Sequence, residues 1–174
     1  MDKGLLHIYT GDGKGKTTAA IGISVRAVSN GLRTLFVQFF KEKNSGGEII
    51  ALRDIGVETI IFEKVKSPYF NPDIDRIELS VEVKQSFSRL REIFDENTFD
   101  LIVLDEFICL ITEGVLTEEE AVEFIRSKPA EVELILTGSG ATEAMIDLAD
   151  YVTYMQNIKH PFDRNTMARK GIEF

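Results

Sequence analysis

This sequence predicts an α/β fold, a mostly parallel sheet covered by helices on both faces. Three observations point there. Short apolar runs alternate with stretches of helical period along the chain, which is the pattern of linked strand–helix–strand units. Some of those runs are apolar at nearly every position, as strands buried on both faces require. A glycine-rich turn joins the first apolar run to the first helical stretch.

The elements follow in order. Leu5 to Tyr9 reads as the first strand, and Lys16 to Ser29 as a helix stopped by Asn30-Gly31. Thr34 to Phe40 is a second, nearly all-apolar strand, and Val57 to Phe62 a third. Pro68 and Pro72 mark Lys64 to Pro72 as a loop. From Asp73 to Asp95 the period is helical, with Ile77, Val81, Phe87, Leu90 and Phe94 as the expected apolar face. Leu101 to Asp105 is a strand ending in a carboxylate. Thr117 opens a helix, and Glu120 three residues on completes a capping-box spacing. Glu133 to Thr137 is a strand, Thr142 to Ala149 a short helix and Tyr151 to Met155 a last strand. The tail, Asn157 to Phe174, is irregular and basic, with Lys159, Arg164, Arg169 and Lys170.

Length and composition narrow the classes. A chain of 174 residues suits one domain with a sizeable core. No apolar run approaches the ~20 residues of a membrane span. The opening MDKGLLHIYTGDG is too briefly apolar for a secretory signal. The single cysteine, Cys109, permits neither an intrachain disulfide nor a cysteine-based zinc cluster. A cytoplasmic protein with no membrane partner is expected. The net charge of −9 argues against a nucleic-acid partner, because phosphate backbones repel an acidic surface.

The stretch YTGDGKGKTTAAIGISVRAV, residues 9–28, carries the first chemistry. Gly11, Gly13 and Gly15 lie between a strand and a helix, where glycine permits positive φ and close approach of a ligand. Main-chain amides of such a loop can cradle phosphate oxygens, and the following helix adds the positive end of its dipole. Lys16 supplies a point charge and the Thr17 hydroxyl suits Mg²⁺. The usual phosphate-loop pattern begins with glycine, whereas Thr10 stands there. Asp12, an acid beside expected phosphates, is expected to point away or to cap the turn. Lys14 adds positive charge.

The second chemistry is Asp105-Glu106, which follows four apolar residues. In phosphate-loop proteins an Asp at such a strand end holds Mg²⁺ directly or through water. A neighbouring Glu can ligate the ion or polarise a water. One hydroxyl, one or two carboxylates and phosphate oxygens satisfy Mg²⁺. These residues predict Mg²⁺–ATP binding on a three-layer, RecA-like phosphate-loop fold. They leave open which bond breaks, since hydrolases, kinases and other transferases share the parts.

Several segments together resemble the phosphate-loop family of ATP:corrinoid adenosyltransferases, across almost the whole chain. The first stretch is similar to that family's T-G-N-G-K-G-K-T-T-A-A…R-A-V, with Asp12 for Asn and a non-glycine at position 10 as normal. VQFFKEKNSGGE resembles V-Q-F-I-K…G-E, and IVLDEF resembles V-V-L-D-E. LTGSG…DLADYV resembles I-T-G-R-G…D-L-A-D. The most discriminating segment, IKHPFDRNTMARKGIEF, resembles V-K-H-x-F-D-x-G-x-x-A-x-x-G-I-D-Y.

The resemblance implies transfer of the 5′-deoxyadenosyl group of ATP to the Co(I) centre of a corrinoid, with triphosphate leaving. ATP is then a co-substrate and Mg²⁺ (or Mn²⁺) the metal. Gly11, Asp12, Gly13, Lys14, Gly15, Lys16, Thr17 and Thr18 would hold the triphosphate. Thr17 and Glu106 would hold the ion with Asp105 nearby, and Lys16 and Glu106 would be the catalytic residues. A flavoprotein reductant and a homodimer are implied in the same way. Aromatic side chains that strip the lower cobalt ligand would be Tyr69, Phe70 or Phe62. Lys41 and Glu48 sit in a loop beside the expected site, and His160 is a structural hydrogen-bonder or a ligand contact. Two departures stand out: Ser139 replaces an Arg, for which Lys14 or Arg26 would compensate, and Asn165 replaces a Gly. The alternatives are a nucleoside kinase, which would want an Arg-rich lid not evident here, and a regulatory ATP-binding module.

Overall fold

The computed structural model describes residues 3–41, 47–161 and 167–172. Six strands form one sheet: β1 (Leu6–Thr10), β2 (Thr34–Gln38), β3 (Glu58–Ile61), β4 (Leu101–Asp105), β5 (Glu133–Thr137) and β6 (Tyr151–Tyr154). Their spatial order is β3-β2-β4-β5-β1-β6, and every adjacent pair is parallel. All six carboxyl ends therefore share one edge of the sheet. The helices among the described residues are α1 (Lys16–Ser29), α2 (Gly47–Asp54), α3 (Arg76–Glu96), α4 (Cys109–Thr112), α5 (Glu118–Arg126) and α6 (Glu143–Leu148).

Side-chain alternation sorts the strands into two cores. Leu6, Ile8, Leu35, Val37, Ile102, Leu104, Leu134 and Leu136 face the layer of α3 and α5. Phe36, Leu101, Val103 and Ile135 face α1 and α2 through Ala20, Ala27, Ile49 and Leu52. The first core is aromatic. Phe124 stacks on Phe94 at 4.9 Å and meets Phe87 and Phe107 at 5.0 and 5.7 Å. Each such ring removes enough apolar surface from water to contribute about 1.5–3 kcal/mol.

Four details correct the expectations from sequence. Strand β2 stops at Gln38 because Phe40 takes φ 55°, outside the β region. The buried stripe of α3 is Leu79, Val83, Phe87, Leu90 and Phe94, while Ile77 and Val81 are exposed. The stripe through Ile77 and Val81 continues into Gln85 and Ser88, so it cannot stay apolar. Glu48 lies in the first turn of α2 instead of a loop. Phe62 packs against Phe39 at 5.3 Å and is half-buried core. The expected capping box fared better, with Thr117 and Glu120 bonded reciprocally; Thr142, read only as the start of a short helix, caps α6.

Candidate nucleotide and metal site

The glycine loop sits at the carboxyl end of β1, between β5 and β6, where open parallel sheets bind their ligands. Gly11 and Gly15 take φ 104° and 118°, which a side chain would resist. Gly15 is the N-cap of α1, so the first free amides of that helix belong to Lys16, Thr17 and Thr18. Thr18 is exposed and Lys16 and Thr17 are half-buried. Lys16 Nζ curls back to donate to the Gly11 and Gly13 carbonyls, 2.8 Å each. Its ammonium thus rests within the turn of the loop.

The chain just after β6 presses on this loop. A Cβ on Gly11 would stand 2.4 Å from the Met155 carbonyl oxygen, and one on Gly13 2.7 Å from it. The Gly13 amide donates to that same oxygen at 2.7 Å, so it faces the sheet edge. Asp12 Oδ1 accepts the Asn157 amide at 3.1 Å. The acid therefore braces the segment after β6, 145 residues away, rather than its own turn. Lys14 Nζ donates to the Ile172 carbonyl at 3.4 Å. From the other side Ser139 Oγ donates to the Gly11 carbonyl at 3.0 Å, and Thr10 Oγ1 accepts the Ala141 amide at 3.2 Å.

Asp105 ends β4 and is wholly buried. Thr137 Oγ1 donates to its Oδ1 at 2.7 Å, Gln38 Nε2 to its Oδ2 at 3.2 Å, and the Thr17 hydroxyl hydrogen bonds to it as well. Burial pushes its carboxyl up to about 6 from 3.8; the Glu106 charge adds to this and the three hydrogen bonds oppose it. Glu106 is partly open and has φ 62°. A bulky residue in that left-handed region costs about 1–3 kcal/mol and persists only where its surroundings impose it. Here Thr137 Oγ1 accepts the Glu106 amide at 3.0 Å, and Cys109 Sγ donates to Glu106 Oε2 at 2.9 Å. Because Thr137 Oγ1 accepts from Glu106, its one proton goes to Asp105. Burial first, and then the Glu106 charge, push the Cys109 thiol up to about 12.

Thr17, Asp105 and Glu106 are therefore brought together around the loop, and their donor set is all oxygen. That fits Mg²⁺, which takes few protein ligands and fills the rest with phosphates and water. Among the described residues there is no cluster of three or more His, Cys, Asp or Glu that could hold a metal by itself. Asp105 is enclosed and spends its oxygens on three donors, so it can act through Thr17, whereas Glu106 is partly open, with Oε2 engaged by Cys109.

Other expected residues lie elsewhere. Arg26 is in the last turn of α1, beside Glu133 at the amino ends of the strands, in the wall of a cavity of about 250 Å³ with Leu32 and Leu101. Some ten residues of helix, about 15 Å, separate it from the loop, so it does not replace the Arg missing at Ser139. Lys41 lines a cavity of about 130 Å³ with Phe40, Lys66, Ser67 and Phe70. Tyr69 and Phe70 are each 79% exposed and meet edge to face at 5.0 Å. His160 is half-buried. Arg164 and Asn165 lie outside the described residues, as do Phe162, Asp163, Glu173 and Phe174 of the tail motifs. Sequence reasoning missed Gln38, Thr137, Cys109 and Met155. A signal for the first two was there: each is a polar residue closing a buried strand.

Strand, glycine loop, helix and strand-end carboxylates together define a phosphate-loop nucleotide-binding protein. Within that class, the chain belongs to the family described as ATP:corrinoid adenosyltransferase BtuR/CobO/CobP, whose model matches residues 2–174. It is 30% identical over 173 residues to the corrinoid adenosyltransferase of Escherichia coli (strain K12), covering 99% of this chain and 87% of that protein. It is 31% identical, with the same coverage, to the corrinoid adenosyltransferase CobA of Salmonella typhimurium (strain LT2). A corrinoid adenosyltransferase of Pseudomonas aeruginosa is 30% identical, with 99% and 85% covered. The protein is thus a transferase, and the kinase and regulatory-module alternatives are set aside.

Proposed function

We propose that this protein transfers the 5′-deoxyadenosyl group of Mg²⁺–ATP to the Co(I) centre of a corrinoid, cobalamin or cobyrinic acid a,c-diamide, and releases triphosphate. The observation that carries the reading is the joining of Lys16 and the glycine loop to a carboxylate pair, one member of which is held in a strained conformation. That apparatus serves negative charge on a phosphate chain, and the family's chemistry puts that charge on a leaving group.

The step balances simply. The cobalt electron pair forms a bond to C5′, the C5′–O bond breaks, and its electron pair leaves on the triphosphate. Co(I) becomes alkyl-Co(III), so no protein nucleophile or base is needed. Lys16 leaves the Gly11 and Gly13 carbonyls for phosphate oxygens. The α1 amides and the loop amides not spent on Met155 take others. Thr17, backed by Asp105, and Glu106 hold the ion. Bound Mg²⁺ supplies counter-charge to the departing chain. Gly13 and Asp12 shape the loop instead of touching phosphate. Tyr69 and Phe70 face the corrin and disfavour its lower ligand, which eases reduction to Co(I) by a flavoprotein partner. One domain does this in the cytoplasm, working as a homodimer.

The test is anaerobic: ATP, Mg²⁺ and chemically reduced cobalamin, followed by the spectrum of the alkyl-cobalt product and by triphosphate release. One triphosphate per transfer is expected, and Lys16→Ala should abolish transfer and weaken ATP binding. Products of ADP and phosphate, or normal turnover by Lys16→Ala, would refute the reading.

A further inference from the structure

We propose that Glu113 is a positioning residue that fixes the Tyr69–Phe70 pair as the corrinoid-facing wall of the site. The inference rests on the adenosyltransferase reading above and assigns it a residue outside every motif of the sequence.

Two large aromatic side chains, each 79% exposed, project side by side from one loop. Apolar surface held this far into water has a use when a ligand covers it. A loop left to itself would fold such side chains down or sample many positions. This one is held from below by a single carboxylate. Glu113 Oε1 and Oε2 accept from Ser67 Oγ at 2.9 and 2.6 Å, and Oε2 also accepts the Tyr69 amide at 3.0 Å. Ser67 is 3% exposed, and its hydroxyl accepts the Phe70 amide at 3.4 Å. The amides of both aromatic residues therefore end, directly or through one hydroxyl, on Glu113. Hydrogen bonds to a charged acceptor are the strong kind, and two donors converge here, the single Ser67 proton being shared between the two carboxylate oxygens.

Glu113 is itself anchored. It is the C-cap of α4, and Arg76 Nη1 donates to its carbonyl at 3.1 Å. Helix α4 follows directly on Asp105-Glu106, and the aromatic loop follows β3, whose carboxyl end shares the sheet edge with those of β1 and β4. The short stretch from Glu106 to Glu113 thus presents one carboxylate toward the nucleotide loop and another under the aromatic loop. A planar macrocycle is what two upright rings at that edge would meet.

The experiment compares Glu113→Ala, Glu113→Gln and a Tyr69→Ala/Phe70→Ala double variant of the full chain. It reads cobalamin affinity of the Mg²⁺–ATP-loaded protein, ATP affinity, thermal midpoint and tryptic cleavage after the exposed Lys66. We expect Glu113→Ala to weaken cobalamin binding on the order of tenfold, the scale of one lost charge-assisted hydrogen bond. ATP affinity should stay within about twofold and cleavage after Lys66 should accelerate. Glu113→Gln should fall between, because its amide nitrogen faces the Tyr69 N–H but its oxygen still accepts from Ser67. If the aromatic double variant loses cobalamin affinity and Glu113→Ala does not, Glu113 has no such role. If neither loses it while transfer proceeds, the aromatic wall fails and the proposal with it, leaving the adenosyltransferase reading intact. Parallel losses of ATP affinity and thermal midpoint in both Glu113 variants would make the effect general destabilisation and also overturn it. A wild-type chain that neither binds cobalamin nor transfers adenosyl would fail at the earlier reading.

Discussion

Asp105 and Cys109 show how a single side chain is set by its surroundings. The folded carboxyl of Asp105 holds its proton up to about pH 6, against 3.8 ordinarily. Without metal, the folded chain then binds that proton more tightly than the unfolded chain does. This contribution favours folding below about pH 4 and is lost as pH rises through 6. Asp105→Asn, measured in EDTA, should therefore raise Tm most at pH 7–8, with a gain that vanishes toward pH 4. A gain independent of pH would contradict the assignment. The Cys109 thiol, pushed up to about 12 by burial and by Glu106, has almost no thiolate at neutral pH. It should react with a disulfide reagent more than about tenfold slower in the folded chain than in urea; equal rates would show it to be open. Neither property was legible in the sequence. The Asp-Glu pair was visible as a strand end, but Thr137 and Gln38 lie 32 and 67 residues away from Asp105. Only the sheet order, which puts β2 and β5 on either side of β4, makes the three polar ends neighbours.

At the level of elements, α1 carries a useful contrast. Gly13, just before it, is packed so closely on Met155 that a Cβ would meet main-chain atoms at 2.7–2.9 Å. Gly22, within it, has nothing within 4 Å of a Cβ. Gly13→Ala should weaken ATP binding by at least about tenfold, since the backbone of the loop or of residues 155–156 must move. Gly22→Ala should stabilise the protein by about 0.5–1 kcal/mol through helix propensity alone. Calorimetric titration with ATP and thermal melts separate the two effects. Helices of strong period, such as α1 and α5, were legible because capping and spacing agreed. Helix α4 was not: its four residues CLIT are too few to show a period. Helix α2 opens on the second residue of a Gly-Gly pair, poor helix formers, so it read as loop. The aromatic loop was legible from its prolines, but its carboxylate anchor was not, because Glu113 and Ser67 are 46 residues apart.

For the whole molecule, the sheet divides the apolar residues into two unequal cores, and the larger is knotted around Phe124. Phe124→Ala should cost about 3–5 kcal/mol and lower Tm by roughly 10 °C, as read by calorimetry. Since α1, which follows the nucleotide loop, packs in the other core, ATP affinity of the folded fraction should change little. A smaller loss, under about 1 kcal/mol, would mean that the aromatic cluster repacks freely. The architecture was the most legible level of all. Alternating runs reveal parallel strands and covering helices whatever their order, whereas the order itself depends on long-range packing that no window of sequence contains.

One consequence concerns the sequence of events on the ribosome. The glycine turn is made well before its partners, because its Gly13 amide goes to Met155 and its Asp12 carboxylate to Asn157, 145 residues further on. The nascent chain therefore carries an unfinished nucleotide cradle until the segment after β6 has been made. Competence for ATP waits until β6 has paired with β1.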